Sequence, residues 1–431
     1  MKIKALLRPP SNRLGLSLWT VVAAFGSYFC MYGFRKPFTA AGYEEFTLLG
    51  LSYKSILVTS QVLGYTLSKF IGIRVISEMP PARRGRTILL FIGIAQTALL
   101  LFALVPAPWN FILLFVNGLP LGMVFGLVLG FLEGRRATEI LAAGLCASFI
   151  LADGVTKSVG SYLLAVGVNQ FWMPFGAGAV FAVPLLIFVG MLTRVPLPDE
   201  SDELQRSKRT PMTLKDRRSL FGKYAMGLTM LVGVYLLLTI LRSVRADFAP
   251  EIWKGLGKAA PPSIFARSEI YVMFGVVIVS GSAAFIRDNR RAFFAAMAAS
   301  ITGFFLVGLA LIGLNSALLN GFQFMVMIGL GLYLPYVAVH TTIFERLIAM
   351  TGEKGNIGFL MYIADSFGYL GYVAVMLVLG TSKSKAGFLD FFTGLSWSGA
   401  VISFILLAGC WLYFAARTRT GGITHTEGAA T

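Results

Sequence analysis

Apolar runs of about twenty residues, each closed by a short polar stretch, recur along the whole chain. Twelve are present, at roughly 14–38, 54–77, 87–105, 109–132, 140–165, 172–193, 222–245, 267–286, 292–314, 318–346, 356–380 and 391–416. A helix rises about 1.5 Å per residue, so about 20 residues cross a hydrocarbon core about 30 Å thick. A helix also satisfies its own backbone where water is absent. The pattern therefore predicts an all-α polytopic membrane protein with twelve transmembrane helices. The longest polar segment, TRVPLPDESDELQRSKRTPMTLKDRRS, follows the sixth run. It divides the chain into a six-helix half (1–193), a linker (194–219), a second six-helix half (220–416) and a tail (417–431).

The halves echo each other. Tyr28, Tyr32 and Arg35 are spaced i, i+4, i+7 and so share one helix face, and Tyr235, Thr239 and Arg242 repeat the spacing. FLEGRR and LADG place Glu133 twenty residues before Asp153; IFER and IADS place Glu345 twenty residues before Asp365. The basic loop GIRVISEMPPARRGR after the second run returns as GSAAFIRDNRR after the eighth. Four echoes predict two pseudosymmetric halves of the major-facilitator type, with a site near the bilayer midplane where they meet.

Composition agrees with the pattern: 56% of the 431 residues are hydrophobic and only 13% charged, against about 25% in soluble proteins. The net charge of +17 would suit nucleic acid were it not for where it sits. Arg83, Arg84 and Arg86, then Arg135 and Arg136, then Arg287, Arg290 and Arg291 fall between runs, whereas the alternate connections Pro106 to Asn110 and Gly167 to Gln170 carry no basic residue. That alternation places the basic loops, the linker and both termini in the cytoplasm, with the chain in a cell (inner) membrane and no nucleic-acid partner. The N-terminus MKIKALLRPPSNR reads as the tail of an uncleaved first helix, because the run behind it is too long for a signal-peptide core.

Cys30, Cys146 and Cys410 lie in apolar runs at no metal spacing and imply no disulfide framework. The sequence shows no nucleotide loop, metal cluster or intramembrane Ser–His pair, so neither an enzyme nor a cofactor is expected. The stretch GLPLGMVFGLVLG (Gly118 to Gly130) lies within an apolar run, where small residues serve close helix packing. A monomer is expected, with the bilayer and a small solute as its partners.

Charges within the runs carry the functional reading: Arg35, Lys36, Lys69, Arg74, Lys157 and Arg242, against Asp153 and Asp365. Such residues face a cavity or a partner more often than lipid. A basic excess calls for an anionic solute, since arginine presents a fork matched to carboxylate and phosphate oxygens. Arg35 and Arg242 also lie near the outer helix ends, where snorkelling to the interface is the bland alternative, against which their shared tyrosine-lined faces argue. Gln61, Tyr65 and Lys69 form an i, i+4, i+8 stripe, and Arg74 reads as an interfacial anchor. Asp153 and Lys157, at i, i+4, are either a self-neutralising pair or a coupling site. Asp365, with Tyr362, Ser366 and Tyr369 around it and no local base, suits proton coupling or a cationic group, and His340 suits packing.

GFRKPF in the first run, GYTLSKF in the second, LLTILRSVRADFAP in the seventh, and YLPYVAVHTTIFE and SFGYLG in the tenth and eleventh resemble motifs of the organophosphate:phosphate antiporter family. Its best-known members carry glycerol 3-phosphate and hexose phosphates. The resemblance implies a phosphate gripped by Arg35 and Arg242, with Lys69 as a third basic contact and Tyr28, Tyr32, Tyr65 and Tyr235 lining the site. Members commonly have a histidine in the fifth helix, where this chain has Asp153 and Lys157. Three expectations follow: transport of a small anionic, including a phosphorylated, solute by alternating access; proton-coupled transport of a zwitterionic or other solute through Asp153 and Asp365; or a transporter-like sensor that binds without transporting.

Overall fold

Local signals set most helix starts. Asn12 caps α1 (Arg13–Tyr32), accepting a bond from the Gly15 N–H at 3.1 Å, and Pro81 opens α3 (Pro81–Leu104) where a missing N–H is harmless. The computed structural model describes residues 9–10, 12–77, 79–132, 138–196, 214–257, 261–283, 285–351, 357–381 and 387–420. The remaining helices of the first half are α2 (Tyr53–Ser77), α4 (Phe111–Leu132), α5 (Thr138–Ala165) and α6 (Met173–Leu192). The second half has α7 (Leu214–Asp247), the short α8 (Ala249–Gly255), α9 (Ser263–Ala283) and α10 (Asn289–Asn315). It continues with α11 (Gly321–Ala338), a π-helical turn (Val339–Ile343), α12 (Phe344–Thr351), α13 (Ile357–Thr381) and α14 (Phe388–Thr420). With α11 to α12 counted as one rod and α8 set aside, the described residues form twelve long helices.

The same pairings recur in both halves. The first helix of each packs on the fifth and sixth, the second on the fourth, and the third on the fourth and sixth. The two seams between the halves are equivalent as well: α5 packs on α9, and α13 packs on α2. Among the described residues nine helices are long and apolar enough to cross a membrane. Three of the four seam helices, α2, α5 and α13, carry Lys69, Asp153, Lys157 and Asp365.

Three local features depart from the apolar pattern. The first run extends to 38, but α1 stops at Tyr32: the Gly33 N–H bonds the Cys30 and Met31 carbonyls, and Pro37 then opens a 3-10 turn, Pro37–Ala40. Arg35 therefore lies in the turn beyond the helix, not on its face. A hairpin of β1 (Thr47–Leu48) and β2 (Leu51–Ser52) reverses through Leu49 and Gly50, both at positive φ (54° and 75°), the two-residue turn that suits strand twist. In α7 a kink at Tyr224 separates a polar first stretch from the apolar run.

The glycine-rich stretch does bring backbones together. A Cβ on Gly118 would lie 2.3 Å from the Gln61 carbonyl oxygen and 2.9 Å from the Tyr65 N–H nitrogen. Gly118→Val is expected to push α2 off α4, at a cost of about 1–3 kcal/mol or more. A clear fall in the thermal unfolding midpoint of the purified protein is the check, and an unchanged midpoint would refute the contact. Glu133, Arg135 and Arg136, the linker residues 197–213 and the tail beyond 420 lie outside the described residues, as does the Arg74 side chain.

Candidate functional site

The turn that carries Arg35 is held by side chains of the neighbouring helices. Gln61 on α2 donates to the Arg35 carbonyl at 2.9 Å and to Asn117 Oδ1 at 2.8 Å. Asn117 on α4 donates to the carbonyls of Phe34 (3.1 Å) and Ala95 (3.0 Å). These bonds satisfy carbonyls that the end of α1 leaves open. They also point the guanidinium inward, 3.8 Å from the Tyr65 ring centroid and 5.7 Å from that of Tyr32. Arg242 on α7 mirrors it, 4.4 Å from Tyr336 and 6.0 Å from Tyr333, both on α11.

Both arginines are buried, 5% and 8% exposed. Snorkelling to the interface therefore does not describe them. Each guanidinium lies over an aromatic face, a contact of about 0.5–2 kcal/mol that neutralises no charge. Among the described residues neither has an ion pair, and the Nε of each is buried without a hydrogen-bond partner. Tyr32 and Tyr369 lie within electrostatic reach of both, so the two guanidiniums border one tyrosine-lined region. Tyr28, 3% exposed, packs edge-on to Tyr32 at 5.6 Å.

The other buried charges are matched. Lys69 on α2 pairs with Asp365 on α13 at 2.7 Å, and Tyr235 donates to the other Asp365 oxygen at 2.5 Å. Asp365 thus has a base after all, from the opposite half, and Lys69 already has a partner acid. Next to them His340, on the π-helical turn, approaches Tyr235 through Nε2 (3.4 Å) and the Tyr336 carbonyl through Nδ1 (2.9 Å). Tyr65 meets Tyr369 edge-on at 5.4 Å across the same seam. Asp153 and Lys157 pair within α5 at 2.5 Å, as their spacing allows.

Three further pairs were not visible in sequence spacing. Lys36, beside Arg35, binds Asp247, which also accepts from the Tyr372 hydroxyl at 2.9 Å. Lys54, 1% exposed, binds Glu251 on α8 at 2.5 Å and the Thr39 carbonyl at 2.8 Å. Arg245 binds Glu269 on α9 at 2.8 Å and the Met325 carbonyl at 2.9 Å. Lys36–Asp247 and Lys54–Glu251 join the two halves where α1 and α7 end, and the exposed pair Lys254–Glu44 (3.3 Å) joins them nearby. The only sequence signal was that Lys36, Lys54, Arg245 and Glu269 lie inside apolar runs and Asp247 just past one; Glu251 had none.

Five of these pairs, Lys69–Asp365, Lys157–Asp153, Lys36–Asp247, Lys54–Glu251 and Arg245–Glu269, cancel in charge. Arg35 and Arg242 are left over. Among the described residues of the seam region, the unmatched buried charge is theirs. No group of three or more metal-ligating side chains occurs among the described residues.

Comparison with known proteins agrees with this architecture. A model of a family described as of unknown function (DUF5690) matches residues 37–417. No curated protein matches by sequence. Among solved structures, a mutant of the nucleoside transporter NupG superposes with a TM-score of 0.59 at 13% identity, covering 93% of this chain and 100% of that one. The human organic anion transporter MFSD10 (TETRAN) superposes with a TM-score of 0.57 at 16% identity, covering 91% and 99%. At such identities the likeness speaks for the fold: an all-α, multi-pass membrane protein of the major-facilitator type.

Proposed function

Since the chain belongs to DUF5690, a family without an assigned function, and has the fold of membrane transporters, we propose from its own residues that it is a secondary active transporter of a small anionic solute. Arg35 and Arg242 grip the anion between the halves. The observation that carries this reading is the pair of buried, unmatched guanidiniums, one from each half, amid five self-cancelling pairs. Two positive charges are best matched by a dianion, and a phosphate monoester supplies oxygens for two arginine forks. The tyrosine contacts supply no acceptor to the Nε of either guanidinium, which leaves that donor for those oxygens. The resemblance to organophosphate antiporters in GFRKPF and LLTILRSVRADFAP supports the same solute class. Of the two structural neighbours, one is a transporter of nucleosides and one of organic anions; the charge of this site favours the second kind of solute.

Alternating access follows from the seams. With the arginine-rich loops in the cytoplasm of a cell (inner) membrane, the ends of α1 and α7 face outward, and Lys36–Asp247 and Lys54–Glu251 close that side. An anion bridging Arg35 and Arg242 offsets their mutual repulsion and lets the halves rock about the site. Lys69–Asp365 ties α2 to α13 on the other seam, so Lys69 enters the anion site only if Asp365 releases it. The protein works as a monomer in this scheme.

Counterflow in proteoliposomes tests the reading and separates a transporter from a sensor. Vesicles loaded with glycerol phosphate or hexose phosphate are expected to accumulate labelled organic phosphate. Uncharged nucleosides and sugars are expected to fail as substrates. Saturable binding with no counterflow would favour the sensor, and neither binding nor flux would overturn the anion site.

A further inference from the structure

A second polar cluster lies between the Arg242 site and the sealed face, where α5 of one half crosses α9 of the other. The crossing is close: a Cβ on Gly154 would lie 2.5 Å from the Phe265 carbonyl oxygen and 2.7 Å from Glu269 Cγ. The Ala266 N–H donates to Ser158 Oγ at 3.0 Å across the same seam. Asp153 and Lys157 from α5 and Arg245 and Glu269 from the other half line a cavity of about 10 Å3 that Trp253 of α8 also lines. All five residues are buried, none more than 5% exposed.

Four polar atoms of residues lining this cavity lack a partner among the described residues: Asp153 Oδ1, Glu269 Oε2, Arg245 Nε and Trp253 Nε1. Two are acceptors and two are donors. A cavity of this size holds about one water. One water donates two hydrogen bonds and accepts two, which is the set these atoms leave open. An acid on each side of the seam, each with one oxygen held by its own base and one turned to the cavity, is joined by that water to its counterpart.

We propose that this cluster is a hydrated proton-binding site, in which one water links Asp153 of the first half to Glu269 of the second and passes them a proton that travels with the anion. This extends the anion-transporter reading and rests on it for the coupling, though not for the proton site itself. The step is a simple transfer: one O–H bond of a hydronium ion in the cavity breaks as the O–H bond to a free carboxylate oxygen forms, and its oxygen remains as the cavity's one water.

The charged and titratable groups facing the pair are known on every side. Lys157 shares α5 with Asp153, Arg245 comes from α7, Tyr333 from α11, and Lys36 reaches Asp153 from the end of α1. With both acids ionised the four-charge cluster is neutral. A proton then leaves it one charge positive, which the surrounding bases oppose. A dianion held at Arg242 counters that charge, and Tyr333 lies within reach of Arg242, Arg245, Asp153 and Glu269 alike. Proton and anion therefore favour each other's binding, by the same factor in each direction. Each half also keeps its own neutral pair, so the seam opens to water without leaving a lone charge on either side.

Infrared difference spectroscopy of the purified, ligand-free protein, from alkaline to acid pH, tests the proton site directly. A carbonyl stretch of a buried protonated carboxyl is expected in the wild type and in Glu44→Gln, which alters an exposed acid. It is expected to be lost in Glu269→Gln and in Asp153→Asn. Trp253→Phe removes one donor to the water and no charge, and is expected to move the band's midpoint without abolishing it. Identical difference spectra in wild type, Glu269→Gln and Asp153→Asn would overturn the proton site. In proteoliposomes, an inward proton gradient is expected to accelerate organic-phosphate uptake by the wild type and not by Glu269→Gln. Uptake by the wild type that ignores the gradient would overturn the coupling. Absence of all phosphate flux would overturn the transporter reading while the infrared result still decides the proton site.

Discussion

Arg35→Met and Arg242→Met are each expected to raise the thermal stability of the unliganded protein while abolishing its response to organic phosphates. The two effects have separate causes. A buried polar donor with no partner costs about 1–3 kcal/mol, and more when charged. Both arginines carry such a donor at Nε and have no ion pair among the described residues. Methionine removes it and still fills much of the space. The change forfeits the contact with Tyr65 or Tyr336, worth about 0.5–2 kcal/mol, so the balance is a net gain of about 1 kcal/mol. Binding moves the opposite way. Each charge-assisted hydrogen bond lost is worth about 1.5–3 kcal/mol, so loss of a two-pronged grip weakens affinity about 100-fold or more. Thermal unfolding with and without glycerol phosphate reads both. Arginines with a structural role would instead lower the unliganded midpoint on substitution.

Asp247→Asn is the second change with a large expected effect, through the face sealed between the halves. Asp247 holds Lys36 of the opposite half and accepts from Tyr372, and all three are buried. Removing one partner of a buried ion pair strands the other, at about 3–5 kcal/mol. Because Lys36 regains water when the halves part on that side, the penalty falls mainly on the sealed state. A shift of about 100-fold toward the state open there is expected. Thr39, fully buried beside this seam, offers the probe. A cysteine placed there should react slowly with a membrane-impermeant maleimide in otherwise wild-type protein and much faster with Asp247→Asn. The double change Lys36→Met with Asp247→Leu strands no charge and is expected to return the rate most of the way. Equal rates in all three would show that the pair does not close this face.

The architecture was legible because lipid leaves a chain few choices. Runs long enough to cross, basic loops on alternate connections and echoes between halves were enough to expect twelve helices in two halves. The repeated spacing singled out Arg35 and Arg242, though Arg35 lies in the turn beyond α1 and not on the helix face that the spacing implied. What stayed hidden was the set of acids that match the other bases. Spacing rules see pairs within one helix, such as Asp153 and Lys157. Lys36 and Asp247 are 211 residues apart, and Lys69 and Asp365 are 296 apart. No local pattern announces such meetings, so the basic excess in the sequence looked larger than the two unmatched charges in the structure. Tyr333 and Tyr336 stood in the quoted YLPYVAVHTTIFE, but no spacing tied them to Arg242, which lies on another helix. The end of α1 was misjudged because the run stays apolar through Phe34, and only Gly33 and Pro37 mark where the helix gives way to the turn.

The most direct test of the central claim, two unmatched guanidiniums gripping one anion, is ligand-induced thermal stabilisation of the purified wild-type protein. The panel would contain glycerol phosphate, hexose phosphates, inorganic phosphate, dicarboxylates, amino acids and the uncharged parent alcohols and sugars. A ligand that binds the folded state raises its apparent stability by mass action. The expected result is stabilisation by phosphate dianions, with none from the uncharged parents and none in Arg35→Met or Arg242→Met. Stabilisation by the uncharged parents alone, or a phosphate response that survives in both variants, would contradict the claim and leave the arginines without a role in binding.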